Sequence, residues 1–166
     1  MPVPYCEGDW FAVPLESGGY AAGLIARSKP GSPVLLGYFF GPRLAHVPAI
    51  DTVSRLRAND AIFVRRFGDL GFLSESRGGD SWPIIGRVEP WDRCDWAMPV
   101  FGRVEPLRNH AYSVTYPDDD PNGRPREARI PEAEVATLPD DGMSGHVILA
   151  KHLDSLISER EQQSAD

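Results

Sequence analysis

The side chains best suited to chemistry in this sequence are four histidines, two cysteines and a dense set of carboxylates, and their spacing decides what they can do. His46, His110, His146 and His152 form no His-x-His or His-Glu-x-x-His pattern, and Cys6 and Cys94 have no Cys-x-x-Cys partner. His146 and His152 are six residues apart, which places them on different faces of one helix, so they do not chelate together. Asp118, Asp120, Asn122 and Gly123 fill the opening positions of a calcium-loop pattern, but the closing bidentate glutamate would fall at Arg129, so the segment reads as a polar hairpin turn. Ser144 and His146 lie close in sequence without the strand-turn-helix setting of a nucleophile elbow, and Ser144 reads as a helix cap. The glycines fall in turns rather than in a phosphate-binding fingerprint. No two carboxylates are marked as facing each other across a cleft. No catalytic residue, metal ligand or cofactor is therefore expected. What remains is a surface reading. Trp82, Trp91 and Trp96 stand in short charged loops, where an indole either anchors a partner or closes the core. Trp82, beside Pro83-Ile-Ile85, reads as core; for Trp91 the two readings are balanced.

The elements that would carry these residues read mainly as strands. Trp10 to Leu15, a turn at Ser17-Gly-Gly19 and Tyr20 to Arg27 make a hairpin, with Pro14 marking an edge or bulge. Val34 to Phe40 is nearly all apolar and reads as a central strand buried on both faces. A short helix fits Pro48 to Leu56. Ala61 to Phe67 is a strand, with Leu70 to Glu75 as its expected partner across Gly68-Asp69. Pro83-Ile-Ile-Gly-Arg-Val-Glu-Pro90 recurs as Pro99-Val-Phe-Gly-Arg-Val-Glu-Pro106, two similar β-segments joined by Trp91 to Trp96. One short repeat does not make a solenoid. His110 to Tyr116 alternates as a strand and Arg126 to Ile130 returns beside it, with the acidic segment Pro117 to Arg124 as hairpin tip. Leu149, Leu153, Leu156 and Ile157 follow helical spacing, which predicts a helix over 144–158 and a frayed end over 159–166. The expected fold is α+β, mainly β. A bent antiparallel sheet or small barrel carries a C-terminal helix, all within one domain over 1–166.

Length and composition suit an ordinary globular chain, 166 residues with 42% hydrophobic and 25% charged side chains. No apolar run approaches the roughly 20 residues that span a bilayer. The N-terminus shows neither a basic n-region nor an apolar h-region, so a cytoplasmic location and free thiols at Cys6 and Cys94 are expected. The net charge of −7 is uneven: 12 acidic and 12 basic side chains up to Tyr116, but 8 acidic and 2 basic from Glu132 onward. A nucleic-acid binder needs a basic stripe, so nucleic acid is excluded as the expected partner. A basic protein surface remains compatible.

Glu7-Gly-Asp-Trp-Phe-Ala-Val-Pro-Leu15, followed by Gly19-Tyr-Ala-Ala-Gly-Leu-Ile-Ala-Arg27, resembles the opening of the immunity protein 26 family of bacterial polymorphic toxin systems. Val34 to Phe40 fits that family's third strand, and Ser81-Trp-Pro-Ile-Ile-Gly86 fits its Trp-Pro-x-Ile-Gly element. The resemblance covers the first hundred residues or so and rests on structural motifs, with no catalytic residue to carry over. It implies a cytosolic antidote that binds a cognate toxin, often a nuclease. An acidic antidote suits a basic active site because it imitates the phosphate backbone. Some relatives carry a phosphotriesterase designation, which makes a small hydrolase the alternative, although such an enzyme ordinarily wants metal ligands. A non-catalytic interaction module is the third reading. The toxin is expected to meet the acidic and aromatic loops, with Trp91, Asp92, Trp96, Asp118, Asp119 and Asp120 as the contact residues.

Overall fold

The computed structural model describes residues 3–166. Strands hold 36% of the residues against 21% in helices, so the fold is mainly β. Ten strands form two sheets. The larger sheet contains β1 (Asp9–Pro14), β2 (Tyr20–Ser28), β3 (Val34–Leu44), β4 (Phe63–Gly68), β5 (Leu73–Ser74), β6 (Trp82–Arg87) and β10 (Met143–Ser144). Its order is β10-β4-β3-β2-β1-β6-β5, curled into a half-barrel. The smaller sheet is the antiparallel meander β7 (Phe101–Glu105), β8 (His110–Thr115) and β9 (Arg126–Ile130). Helices α1 (Ile50–Val53) and α2 (Glu132–Val135) are single turns, and α3 (His146–Ala165) is the long C-terminal helix.

The period-2 pattern of β1 to β4 explains how the larger sheet is covered on both faces. Phe11, Val13, Ala21, Ile25, Leu35, Phe39 and Phe67 point to one face, where Leu149, Leu153 and Ile157 of α3 and Trp82 join them. Trp10, Ala22, Leu24, Leu36, Tyr38 and Phe40 point to the other, where Phe101, Val114 and Tyr116 of the small meander close over them with Trp96. Gly23 is needed within β2 because a Cβ there would lie 2.4 Å from the Phe11 ring that crosses it. Trp82 takes the core position expected of it, 2% exposed and stacked on Phe11. The paired repeat segments become β6 and β7, one in each sheet. Pro14 ends β1 beyond the stretch paired with β6, which includes a bulge at Trp10/Phe11.

Three polar junctions tie the layers together. Arg27 of β2 reaches the loop after β8, as described below. Arg66 of β4 donates to the Tyr116 hydroxyl at 2.7 Å and to the Pro121 carbonyl at 2.7 Å, while Tyr116 donates to Asp141 at 2.6 Å. Burial and the Asp141 carboxylate push the Tyr116 hydroxyl up to about 12. On the opposite face, Asp154 of α3 accepts from the Ser17 amide at 2.9 Å and from Arg43 at 3.0 Å, and Arg43 also pairs with Glu161.

Three local expectations are corrected. The segment from Leu70 to Glu75 does not pair with β4. The Asp69 carboxylate accepts from the amides of Gly71 and Phe72, turning the chain away, and β5 pairs parallel with β6 instead. The vacated edge of β4 is taken by β10, also in parallel. Ser144 therefore belongs to a strand, its hydroxyl accepts from Arg65, and Gly145 stands at the start of α3. Finally, the helix does not end at 158: α3 continues to Ala165, with Glu161 held by Arg43.

Candidate functional site

The link between β6 and β7 crosses the face of the larger sheet and forms one wall of a cleft of about 540 Å3. Asp92 shapes this wall by accepting from the Cys94 amide at 2.9 Å, which starts a 3-10 turn over Arg93–Asp95. The facing wall is the segment after α1, where Asp60 accepts from the Arg57 amide at 2.8 Å and sets a second 3-10 turn over Ala58–Asp60. Leu56, Val88 and three tryptophans supply the apolar lining. Trp10 forms the floor, 3% exposed, with Trp96 edge-on at 5.7 Å. Trp91 is half-buried at the wall.

Trp91 is seated on backbone. Gly8 has φ +97°, a left-handed conformation that favours glycine, and its amide donates to Ile25 at 2.7 Å. One face of the indole covers Gly8, and the indole Nε1 donates to Glu7 at 3.4 Å. The rest of the ring lines the cleft.

The rim is acidic. Glu89, Asp92 and Asp95 line it against a single cation, Arg57, whose guanidinium donates to the Ser54 and Leu56 carbonyls. Asp95 forms no ion pair among the described residues. The field shows at the neighbouring thiol: the hydrogen bond and charge of Asp92, then Asp118 and Asp95, push Cys94 above the usual thiol range.

The loop over 117–124 lies beside this link rather than projecting as a free tip. Arg27 is 2% exposed, and its guanidinium donates to the Trp96 carbonyl at 2.9 Å, the Asp118 carbonyl at 2.8 Å and the Asp118 carboxylate at 3.0 Å. Arg93 holds Glu7 through two bonds of 2.8 and 2.9 Å and touches the other Asp118 oxygen at 3.4 Å. One buried and one half-buried arginine thus fasten both candidate loops to β2 and to each other.

The six residues expected at the contact surface therefore separate. Trp96 packs in the core: it is 8% exposed and lies edge-on against Tyr38, Trp10 and Phe40, so only part of it reaches the cleft. Asp118 is committed to Arg27 and Arg93, and Asp120 to Lys29 at 3.0 Å. The Lys29 hydrogen bond holds the Asp120 carboxyl below the usual carboxylate range. These pairs also account for the calcium-like run, whose first two carboxylates are turned toward cations of the chain itself. Asp119 is exposed and unpaired among the described residues, Asp92 is exposed at the rim, and Trp91 is half-buried. Ser144 and His146 are not a catalytic pair: the hydroxyl faces Arg65 and the imidazole stacks on Phe72.

The family profile described as Immunity protein 26 matches residues 6–113. The chain belongs to the Immunity protein 26 family. No curated protein and no solved structure gives a significant match. The segment matched to Immunity protein 26 contains Gly8 and every residue that lines the acidic cleft. Asp118, Asp119, Asp120 and α3 lie beyond it.

Sequence reading missed Gly8, Arg27, Glu89, Arg93 and Asp95 as members of this site. Arg27 carried a visible signal, since it is the one charged residue at the end of an otherwise apolar strand, where a cation must find partners.

Proposed function

We propose that this chain is an immunity protein without catalytic activity of its own, which neutralises a cognate toxin by binding it. The observation that carries the reading is the family match over residues 6–113. The geometry supports it: the cleft offers indoles and unpaired carboxylates, the chemistry of a protein-recognition surface, and the titratable pairs around it are spent on holding loops. The toxin surface that fits such a rim is basic, as the active site of a nuclease is, and the chain's net charge of −7 favours fast encounter with it. The contact surface on this reading is Trp91 and Asp92 with the unpaired Asp119 alongside.

The test is co-expression with a toxin-domain protein encoded beside this gene. Cells carrying both survive, cells carrying the toxin alone die, and the two proteins co-purify. Death of the co-expressing cells at the same rate as the controls overturns the immunity role.

A further inference from the structure

We propose that the cleft between Trp91 and the 3-10 turn at Ala58–Asp60 receives an arginine side chain of the toxin, with the guanidinium against Trp91 and the carboxylates of Glu89, Asp92 and Asp95 around it. This rests on the immunity reading and adds the chemistry of the contact.

Three observations point to a planar cation. The first is shape: a cleft of about 540 Å3 lies within the ~300–1,000 Å3 range of ligand pockets. It is large enough for one long side chain and the residues flanking it. The second is the aromatic lining. Trp10 and Trp96 are fixed in the core, and Trp91 is braced by Gly8 and Glu7, so its indole is rigid before anything binds. Indole is the best cation-binding ring, and a guanidinium stacks on it through its flat face. The third is charge. Three carboxylates face one arginine, and Arg57 is already turned toward the carbonyls of Ser54 and Leu56. Asp95 has no cation of its own among the described residues, and Glu89 has only Arg87 at 3.7 Å. An incoming guanidinium supplies the counter-charge that the rim lacks, whereas a phosphate or a nucleic-acid strand is repelled.

The lower part of the site is built so that the carboxylates stay at the mouth. Asp92 is held by the Cys94 amide and Glu89 accepts from the Trp91 amide at 3.2 Å, so both side chains are positioned by the loop that carries the indole. A guanidinium entering over Trp91 therefore meets aligned acceptors rather than mobile ones, which reduces the entropy lost on binding.

The probe is a toxin-domain protein encoded beside this gene against which the chain protects cells, purified with its own activity abolished by substitution and titrated calorimetrically with the full chain. Trp91→Ala weakens binding by about tenfold or more, as expected for a central aromatic anchor. The pair Asp95→Asn with Glu89→Gln keeps the shape, leaves folding intact, weakens binding about tenfold and flattens its salt dependence. Replacing the toxin's surface arginines by glutamine one at a time identifies one whose loss costs clearly less in the Asp95→Asn, Glu89→Gln background than with the unaltered chain. Unchanged affinity in the folded carboxylate pair variant overturns the inference, and so does coupling to a toxin lysine in place of an arginine. If the unaltered chain neither binds nor protects, the immunity reading fails and this inference falls with it; if it protects while the cleft variants bind normally, only the cleft is wrong.

Discussion

Gly8 and Trp91 are in face-to-backbone contact: a methyl group on Gly8 would lie 2.9 Å from Cδ2 of the indole and 3.2 Å from Cε3. The pair explains physically why a Gly-Asp step opens β1. Gly8 lets the chain take φ +97° and lets the ring close over it, and Asp9 then accepts from the Cys6 amide at 2.8 Å to hold the turn. Gly8→Ala meets both the steric clash and the left-handed strain. It is expected to cost about 1–3 kcal/mol of stability and to displace the indole. Chemical denaturation followed by tryptophan fluorescence reads both effects. A variant with unchanged midpoint and spectrum would show that Trp91 is not braced in this way.

Arg27 is the buried fastener of the two candidate loops, and its replacement should be felt in both. Arg27→Lys keeps the charge but cannot reach the Trp96 carbonyl, the Asp118 carbonyl and the Asp118 carboxylate together. The expected loss is about 3 kcal/mol, because buried acceptors are left without donors. Asp118→Asn should cost less, about 1 kcal/mol, since that carboxylate is largely exposed and screened by water. Hydrogen exchange should show faster amides over 92–96 and 117–123 in the lysine variant. Exchange unchanged in those segments would detach Arg27 from this role.

The strands β1 to β4 were legible because alternation and turn residues both act locally, and the sheet only completes what they specify. The same holds for the hairpin β8–β9 and for the apolar stripe of α3. The strand β5 was misplaced because its partner is chosen by Asp69, whose carboxylate redirects the chain through two amides that no periodicity reveals. The end of α3 was misjudged for a related reason: Arg43, more than a hundred residues away, holds Glu161. For the site, two charged loops, one of them with two indoles, could be seen in the sequence. Which indole was core and which carboxylates were already paired could not, because Arg27, Lys29 and Arg93 approach from β2, its following turn and the facing loop. Ion pairs across sheets leave no spacing rule in a single sequence.

Asp154 fastens α3 to the β1–β2 turn and to the end of β3. Burial raises its carboxyl, but hydrogen bonds from Ser17 and Arg43 outweigh that and hold it below the usual carboxylate range. Asp154→Ala leaves Arg43 and the Ser17 amide without this acceptor and should cost about 2 kcal/mol. Since both core clusters share the larger sheet, we expect one cooperative transition, shifted as a whole. Two separated transitions in a thermal melt would argue for independently unfolding halves.

Asp119 differs from its neighbours in being unpaired. Asp119→Asn should leave the melting temperature unchanged and slow association with the toxin, an effect that vanishes as salt rises beyond the range where exposed charges interact. Asp120→Asn instead loses its pair with Lys29. Stopped-flow association at two salt concentrations separates them. An association rate indifferent to Asp119 at low salt would remove this loop from the encounter surface.

The two histidines of α3 set the response to mild acid. Burial against Phe72 and Trp82 lowers His146 below its ordinary value, with Asp69 and Asp80 opposing. His152, stacked on Phe63, is lowered by burial and then by Arg65, with Asp140 and Glu159 opposing. A histidine lowered on folding is protonated more readily in the unfolded chain, so the unfolded state gains protons first as the pH drops. The stability they contribute is therefore complete above about 6.5, the unfolded value, and is lost as the pH falls through the lower folded values. The melting temperature should fall between pH 7.5 and 5.5. The fall should shrink in His146→Gln, and shrink further in the double variant with His152→Gln. A wild-type protein that melts higher at pH 5.5 than at pH 7.5 would reverse the sign and refute the assignment.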